Sequence, residues 1–339
     1  RGLGAWLGVL LVWDFFYYWK HRLGHEVNLL WAAHSVHHQS EEYNLTTALR
    51  QTSTDFLIGW AIYLPMFLLG VPVAVFATVS AIDLIYQFWV HTRYVDKLGW
   101  VDRVFVTPSN HRVHHAQNAA YMDKNYGGIL ILWDRLFGTF EPEADDNPPV
   151  FGVRKSLSSF NPVTANLQVY RYLWADACQT RSWRDKLALW FARPGWRPAD
   201  LGSGVTMDDA ALRDFQKYAG VALGPRRGYF IAQFALGVVL TFVIAALAQL
   251  SDWPVVLAAA LALWWLLLNV GAATDGAPWG AFSEWLRLAL TPLVAAGVAS
   301  TLGLSVWTWA APLGLWSGIS VLWLATTSAA NVRGQSTTL

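Results

Sequence analysis

Apolar residues dominate positions 3–19 (LGAWLGVLLVWDFFYYW), a stretch long enough for a membrane span, with aromatic residues crowding its far end. Lys20 and Arg22 follow directly, as expected for a cytoplasmic exit. Asp14 lies inside the stretch and is expected to face protein rather than lipid. A second apolar run, 53–90, carries only Asp55 and Asp83 as charges and is broken at Leu64-Pro65 and at Gly70-Val71-Pro72. This pattern predicts two apolar helices forming a hairpin that enters the membrane and returns to the same side. The first arm is short enough for a re-entrant segment. In the final third, stretches 229–249, 254–274, 281–303 and 305–327 predict four spans. From Gly228 onward the charged residues are Asp252, Asp275, Glu284, Arg287 and Arg333, and several of the nine Trp residues there lie near segment ends. Residues 91–228 differ: they hold 18 of the 24 Lys and Arg and most of the acidic residues, with a Pro- and Asp-bearing loop at 141–149. That bias places them on the cytoplasmic side, and four final crossings return Arg333 there. The pattern predicts an all-α integral membrane fold in three segments, 1–143, 144–228 and 229–339.

Composition supports this picture. Of 339 residues, 55% are hydrophobic and 14% charged, where soluble domains carry about 45–50% and about 25%. A single cysteine, Cys178, excludes a disulfide framework, a four-cysteine zinc site and a self-contained cysteine-ligated iron–sulfur cluster, and an inert thiol is expected there. A net charge of +1 gives no reason to expect nucleic acid as a partner. The sequence opens on Arg1 rather than Met, so upstream residues are expected and no signal peptide is read.

The histidines carry the chemistry. All nine fall between residues 21 and 115, eight of them in three motifs: His21-Arg-Leu-Gly-His25, His34-Ser-Val-His37-His38 and His111-Arg-Val-His114-His115. On a helix, positions three and four apart share a face, so the first histidine of each HxxHH group aligns with both later ones and the three can converge. One histidine near a membrane surface is an ordinary polar residue, and an isolated HxxxH pair is a weak signal. Three clusters together point to a metal site. Neutral imidazole binds Fe, Zn, Cu and Ni, and eight such ligands suit a pair of ions. His91, at the exit of the hairpin, is a ninth candidate, and the hairpin brings 91–115 back to the side where 21–38 emerged.

These residues also carry a resemblance. The HxxxH, HxxHH, HxxHH series around a membrane hairpin resembles the fatty acid hydroxylase/sterol desaturase superfamily. HRLGHEVNLLWAAHSVHHQSEEYNLTTALRQ at 21–51, YQFWVHT at 86–92 and TPSNHRVHHAQNAAYMDKNYGGILILWDRLFGTFEPE at 107–143 resemble its alkylglycerol monooxygenase branch and that branch's bacterial relatives. The likeness is dense over residues 13–143 and thin thereafter. Asn110 stands where relatives commonly have another histidine, Arg93 where an acidic residue is frequent, and Val106 where Asn is frequent.

The resemblance implies a cytoplasm-facing, non-haem di-iron centre that uses O2 to hydroxylate or desaturate an unactivated C–H position of a lipid. Zinc would substitute for iron in a purified sample, since imidazole accepts both. For an alkylglycerol, hydroxylating the carbon beside the ether oxygen gives a hemiacetal that collapses to an aldehyde and glycerol. A lipid or sterol hydroxylase or desaturase with another substrate, such as a bacterial aminolipid, is the alternative within this chemistry. A membrane metal carrier or sensor is the alternative outside it, though a carrier would need a polar path through spans that show little beyond Asp14 and Asp83. Reducing equivalents must come from an external donor, because the chain shows no haem-attachment motif and no Gly-rich dinucleotide fingerprint. Relatives imply a reduced pterin (tetrahydrobiopterin) or a redox protein of the cytochrome b5 or ferredoxin type. Basic residues at 171–197 would dock an acidic redox protein or anionic lipid head groups, or belong to an amphipathic interfacial helix. Among residues able to orient imidazoles (Glu26, Glu41, Glu42, Asn44 and Asp134), the family wording HH-x-S-E-x-Y-N favours Glu41 and Asn44. Tyr43, Tyr121 and Tyr126 are candidates to line a pocket or to pack. Gly127-Gly128 would permit close backbone approach to a ligand or make a turn.

Overall fold

The opening apolar stretch forms one helix in the computed structural model, α1 (Leu3–Glu26), which runs past Lys20 to carry His21 and His25. It ends where Val27 turns extended, and α2 (Asn28–His38) begins at the next residue. The junction is held from outside: the Asn28 backbone N–H donates to the Ala192 carbonyl and its side-chain amide to the Leu189 carbonyl, both at 2.9 Å. The structure describes residues 2–202 and 209–336. The outermost positions of the first and last sequence segments, 1 and 337–339, lie outside the described residues, as do 203–208 of the middle one.

Of the two hairpin helices predicted over 53–90, only the second forms in full, as α3 (Val73–Val90). The first arm is two 3-10 turns, Asp55–Leu57 and Gly59–Tyr63, followed by the short helix Leu64–Leu68. Pro65 sits in the first turn of that helix, and with no N–H it cannot bond back to the Ala61 carbonyl to make one longer helix with the turns before it. The Asp55 carboxylate lies so close to Gly59 that a Cβ there would come within 2.6 Å of Oδ1, while its other oxygen pairs with Lys20 at 2.7 Å. Trp13 of α1, Tyr63 and Met66 of the short arm and Val79 of α3 form the core between these elements. One turn on, the Tyr17 hydroxyl donates to Gln87 at 2.8 Å, so α1 and α3 run in the same direction and deliver their histidines at the same end.

Helix α4 (Pro108–His114) opens on Thr107, whose hydroxyl accepts the Asn110 N–H, with Pro108 in the first turn where its missing N–H costs nothing. Helices α5 (Pro162–Gln179) and α6 (Trp183–Phe191) follow, α6 capped by Ser182. Leu173 and Leu189 of these two helices pack on Ala32, so they back α2.

The chain divides into two compact units, Arg1–Leu157 with Ala165–Lys217, and Ser158–Thr164 with Tyr218–Leu339. The second unit contains α7 (Arg227–Leu247), α8 (Trp253–Thr274), α9 (Gly280–Thr301) and α10 (Val306–Ser336), in the places where the sequence predicts four spans. Its interior holds a buried Arg287–Glu284 pair at 2.7 Å, joined by Tyr229, Gln233 and Asn269. Among the described residues, four helical stretches are long and apolar enough to cross a membrane: Val73–Val90, Gly224–Leu247, Trp253–Thr274 and Val306–Thr327. Leu3–Glu26 and Gly280–Thr301 have the length but carry Asp14 with Lys20, and Glu284 with Arg287, and are not among the four.

Candidate metal centre

Helix period and helix ends decide where the imidazoles go. His21 and His25 lie on the last turns of α1, His34, His37 and His38 on α2, and His111 and His114 on α4, with His115 as its C-cap; His91 is the first residue past α3. They assemble into two groups. His21, His25, His34, His38 and His114 bring one ring nitrogen each within 4.8 Å of one another, and so do His37, His91, His111 and His115. Each HxxHH motif is therefore divided between the two groups. The i and i+4 members, about 40° apart around the helix, stay together; the i+3 member, about 100° from its i+4 neighbour, crosses to the other group. Helix α2 gives His34 and His38 to the five-membered group and His37 to the four-membered one, and α4 does the reverse. His38 stacks on His115 across the boundary, with ring centroids 4.3 Å apart.

Backbone carbonyls orient the rings. Nδ1 of His21 lies 2.8 Å from the Tyr126 carbonyl, Nδ1 of His37 3.2 Å from that of Arg50, Nδ1 of His91 2.7 Å from that of Gln87, and Nδ1 of His114 2.9 Å from that of Lys124. A carbonyl only accepts, so each of these Nδ1 atoms carries the proton, and each neutral ring turns an unprotonated Nε2 inward. The Nε2 atoms of His37 and His91 then face each other at 3.2 Å as two lone pairs. Neutral rings so arranged repel unless a cation lies between them. A metal–nitrogen bond of about 2.1 Å places neighbouring ligand nitrogens about 3.0 Å apart at 90° and about 3.4 Å apart at the tetrahedral angle. The other Nε2···Nε2 separations are 3.0 Å for His21–His34, 3.1 Å for His34–His38, 3.0 Å for His91–His111 and 3.1 Å for His111–His115. His25 Nε2 and His114 Nε2 are buried without a hydrogen-bond partner among the described residues. The donor set fits bound metal.

Burial also keeps the imidazoles neutral. It lowers His37 to about 4, and His91 and His114 to about 3, and the remaining six shift the same way, helped by one another's potential positive charge. Neutral imidazole is the form that ligates.

Residues 6–139 match the family model of the fatty acid hydroxylases. The chain carries a fatty acid hydroxylase domain. It is 43% identical over 232 residues to an alkylglycerol monooxygenase of Danio rerio, across 68% of this chain and 51% of that one. It is 35% identical over 287 residues to an alkylglycerol monooxygenase of Homo sapiens, across 84% of this chain and 63% of that one. An ornithine lipid hydroxylase of Rhizobium tropici is 35% identical over 141 residues, 41% of each chain. The chain thus spans between half and two thirds of the length of these two alkylglycerol monooxygenases. No solved structure matches it.

Within the hydroxylase domain the five polar candidates Glu26, Glu41, Glu42, Asn44 and Asp134 find different partners. Asn44 is exposed and caps the short helix Leu45–Ala48, its Oδ1 accepting the Thr46 N–H at 2.9 Å. Glu41 accepts from the Ser156 hydroxyl at 2.6 Å, Glu42 pairs with Lys217, and Glu26 with Arg22. Asp134 is the carboxylate set against the histidines' own backbone support. It accepts the N–H groups of Tyr126 and Gly127, both at 2.7 Å, and so fixes the carbonyl that orients His21. Asp14 accepts the N–H groups of Ile129 and Leu130 and the Trp133 indole N–H, facing protein as expected. Gly128 threads between these supports: a Cβ there would lie 2.7 Å from Asp83, 2.8 Å from Tyr17 and 2.9 Å from Asp14.

Arg112 lies between two histidines of α4, where its sequence position alone does not mark its role. It is buried, forks onto Glu143 and donates to the carbonyls of Thr92 and Val95, fixing the loop that leaves His91. Asn110 donates to the carbonyls of Asp102 and Phe105, at the start of α4. Of the tyrosines, Tyr43 donates to the Val90 carbonyl and Tyr121 to that of Asn147, while Tyr126 packs its ring beside His25 with centroids 5.3 Å apart.

Proposed function

We propose that this chain is a membrane-bound, non-haem di-iron oxygenase that hydroxylates a C–H bond of a lipid with O2, and that its substrate is an alkylglycerol attacked at the carbon beside the ether oxygen. The observation that carries this reading is the His37–His91 pair, two inward lone pairs 3.2 Å apart in a buried, all-imidazole site. His21, His25, His34, His38 and His114 would hold one ion, and His37, His91, His111 and His115 the other. When bound, the irons would supply the O2 activation that no side chain here provides.

The protein's own part is support. Carbonyls at Tyr126, Arg50, Gln87 and Lys124 hold each Nδ1 proton and keep each Nε2 directed inward. Glu41 and Asn44 act as positioning residues: Asn44 caps the short helix that leads to Arg50, whose carbonyl orients His37. One oxygen atom enters the C–H bond, and the other leaves as water with two electrons and two protons from an external donor, a reduced pterin or a redox protein. The resulting hemiacetal breaks its C–O bond to give an aldehyde and glycerol.

In this reading residues 1–143 are the catalytic segment, with the site on the cytoplasmic side beyond Lys20 and Arg22. Residues 144–228 are cytoplasmic or interfacial, and 229–339 are a C-terminal membrane domain of about four spans. The ornithine lipid hydroxylase similarity favours a second substrate reading, an aminolipid. Anaerobic loading with ferrous iron, followed by O2 and either lipid with and without reduced pterin, separates the two. Aldehyde from the alkylglycerol supports the first reading; unchanged ether lipid with a hydroxylated aminolipid replaces it with the second.

A further inference from the structure

Helix α6 turns its apolar side outward. Trp183, Leu187 and Phe191, at i, i+4 and i+8, form one stripe and are 79%, 69% and 70% exposed, while Leu189 on the opposite side is buried against α2. Trp174 of α5 is exposed as well. A stripe of this kind on a helix marks a contact surface.

Its surroundings indicate what covers it. Residues 171–197 hold six basic and two acidic residues. Asp176, one of the two acids, is taken by Arg197 at 2.8 Å, whereas Arg171, Arg181, Arg184 and Arg193 are exposed. The C-terminal end of α6 is fastened where α1 ends, through Asn28 to the Ala192 and Leu189 carbonyls and through Arg193 to Glu26 at 3.4 Å. Helix α1 packs beside α3, a helix apolar and long enough to cross a bilayer, with Tyr17 level with Gln87 near the end of α3. Glu26 therefore lies only about two and a half turns beyond that level, roughly 14 Å along the helix, and the head-group layer is about 5–8 Å deep. Long side chains on α6 reach across the remainder.

The geometry points to α6 as an interfacial helix that lies on an anionic leaflet, with Trp183, Leu187 and Phe191 dipping into the head-group layer and the arginines among lipid phosphates. The contact fixes the height of α2, and with it the histidine groups, relative to the membrane surface. It rests on the membrane reading of α3 and not on any catalytic activity.

The test uses the full chain in nanodiscs of mixed neutral and anionic lipid. With Cys178→Ser in place, Trp183→Cys, Leu187→Cys, Phe191→Cys and Arg184→Cys are made singly and spin-labelled, and monodisperse elution checks that each remains folded. Collision with O2, which concentrates in lipid, is compared with collision with a water-soluble nickel chelate. The account predicts a ratio favouring O2 at 183, 187 and 191 and favouring the nickel chelate at 184, with the first three falling in purely neutral lipid. Nickel accessibility at 183, 187 and 191 equal to that at 184 overturns it. Protection that appears only when an acidic redox protein is added also overturns it, and assigns the stripe to that partner.

Discussion

Asp134 accepts the backbone N–H groups of both Tyr126 and Gly127, and the Tyr126 carbonyl in turn receives the Nδ1 proton of His21. The carboxylate thus acts on a histidine it does not touch. Asp134→Asn places an amide where two N–H donors converge and loosens that carbonyl. The expected result is a loss of about 10–100-fold in metal affinity at the five-histidine group, with the four-histidine group unaffected. Metal titration of the purified protein checks this, and two unchanged affinities would contradict it.

Gly128 is a position where a single methyl group is decisive. Its Cβ would overlap the Asp83 and Asp14 carboxylates and the Tyr17 ring, all within 3 Å. Gly128→Ala should destabilise the first unit by about 1–3 kcal/mol through forced shifts. Gly8→Ala, where nothing lies within 4 Å, should leave it unchanged. Thermal unfolding of the two variants side by side tests the contrast.

Arg112 and Glu143 form a buried fork, with side chains 8% and 13% exposed. Removing one partner leaves the other charge buried, at a cost of about 3–5 kcal/mol. Arg112→Met should therefore lower the unfolding midpoint more than Arg112→Met combined with Glu143→Met. A double variant less stable than the single one would show that the pair's charges are not what holds the loop after His91.

Acid should destabilise the metal-free protein through the histidines. An unfolded imidazole titrates near its ordinary 6.5, whereas burial holds His37 at about 4 and His91 and His114 at about 3. Between those limits the unfolded chain binds more protons than the folded one, so stability falls as pH falls. The contribution is constant above 6.5 and is lost progressively from there towards 4 and below. Unfolding midpoints across this range measure it; a profile flat down to pH 4 would mean the rings are not buried in neutral form.

Much of this was legible in the sequence because helical period and apolar length are local properties. His21 and His25 share a face of α1, and the four late helices begin within two residues of the stretches that apolar runs mark out. The first hairpin arm was less legible, because Pro65 and the Asp55–Gly59 approach break a pattern that looks helical by composition alone. Spacing separates each i+3 histidine from its i and i+4 partners, but which group each set joins depends on how α2 and α4 face each other. The carbonyls that orient the rings belong to Tyr126, Arg50, Gln87 and Lys124, and every residue type has a carbonyl, so side-chain chemistry gives no sign of them. For the same reason the family wording drew attention to Asn44, whose side chain caps a helix one step removed from His37.

The central claim is that two histidine groups hold two iron ions, and counting iron per chain tests it most directly. After anaerobic loading with ferrous iron and removal of the excess, the account predicts two ions for the unaltered protein and one for His91→Ala, which weakens only the four-histidine group. One ion or none in the unaltered protein, or two in the His91→Ala protein, would contradict it.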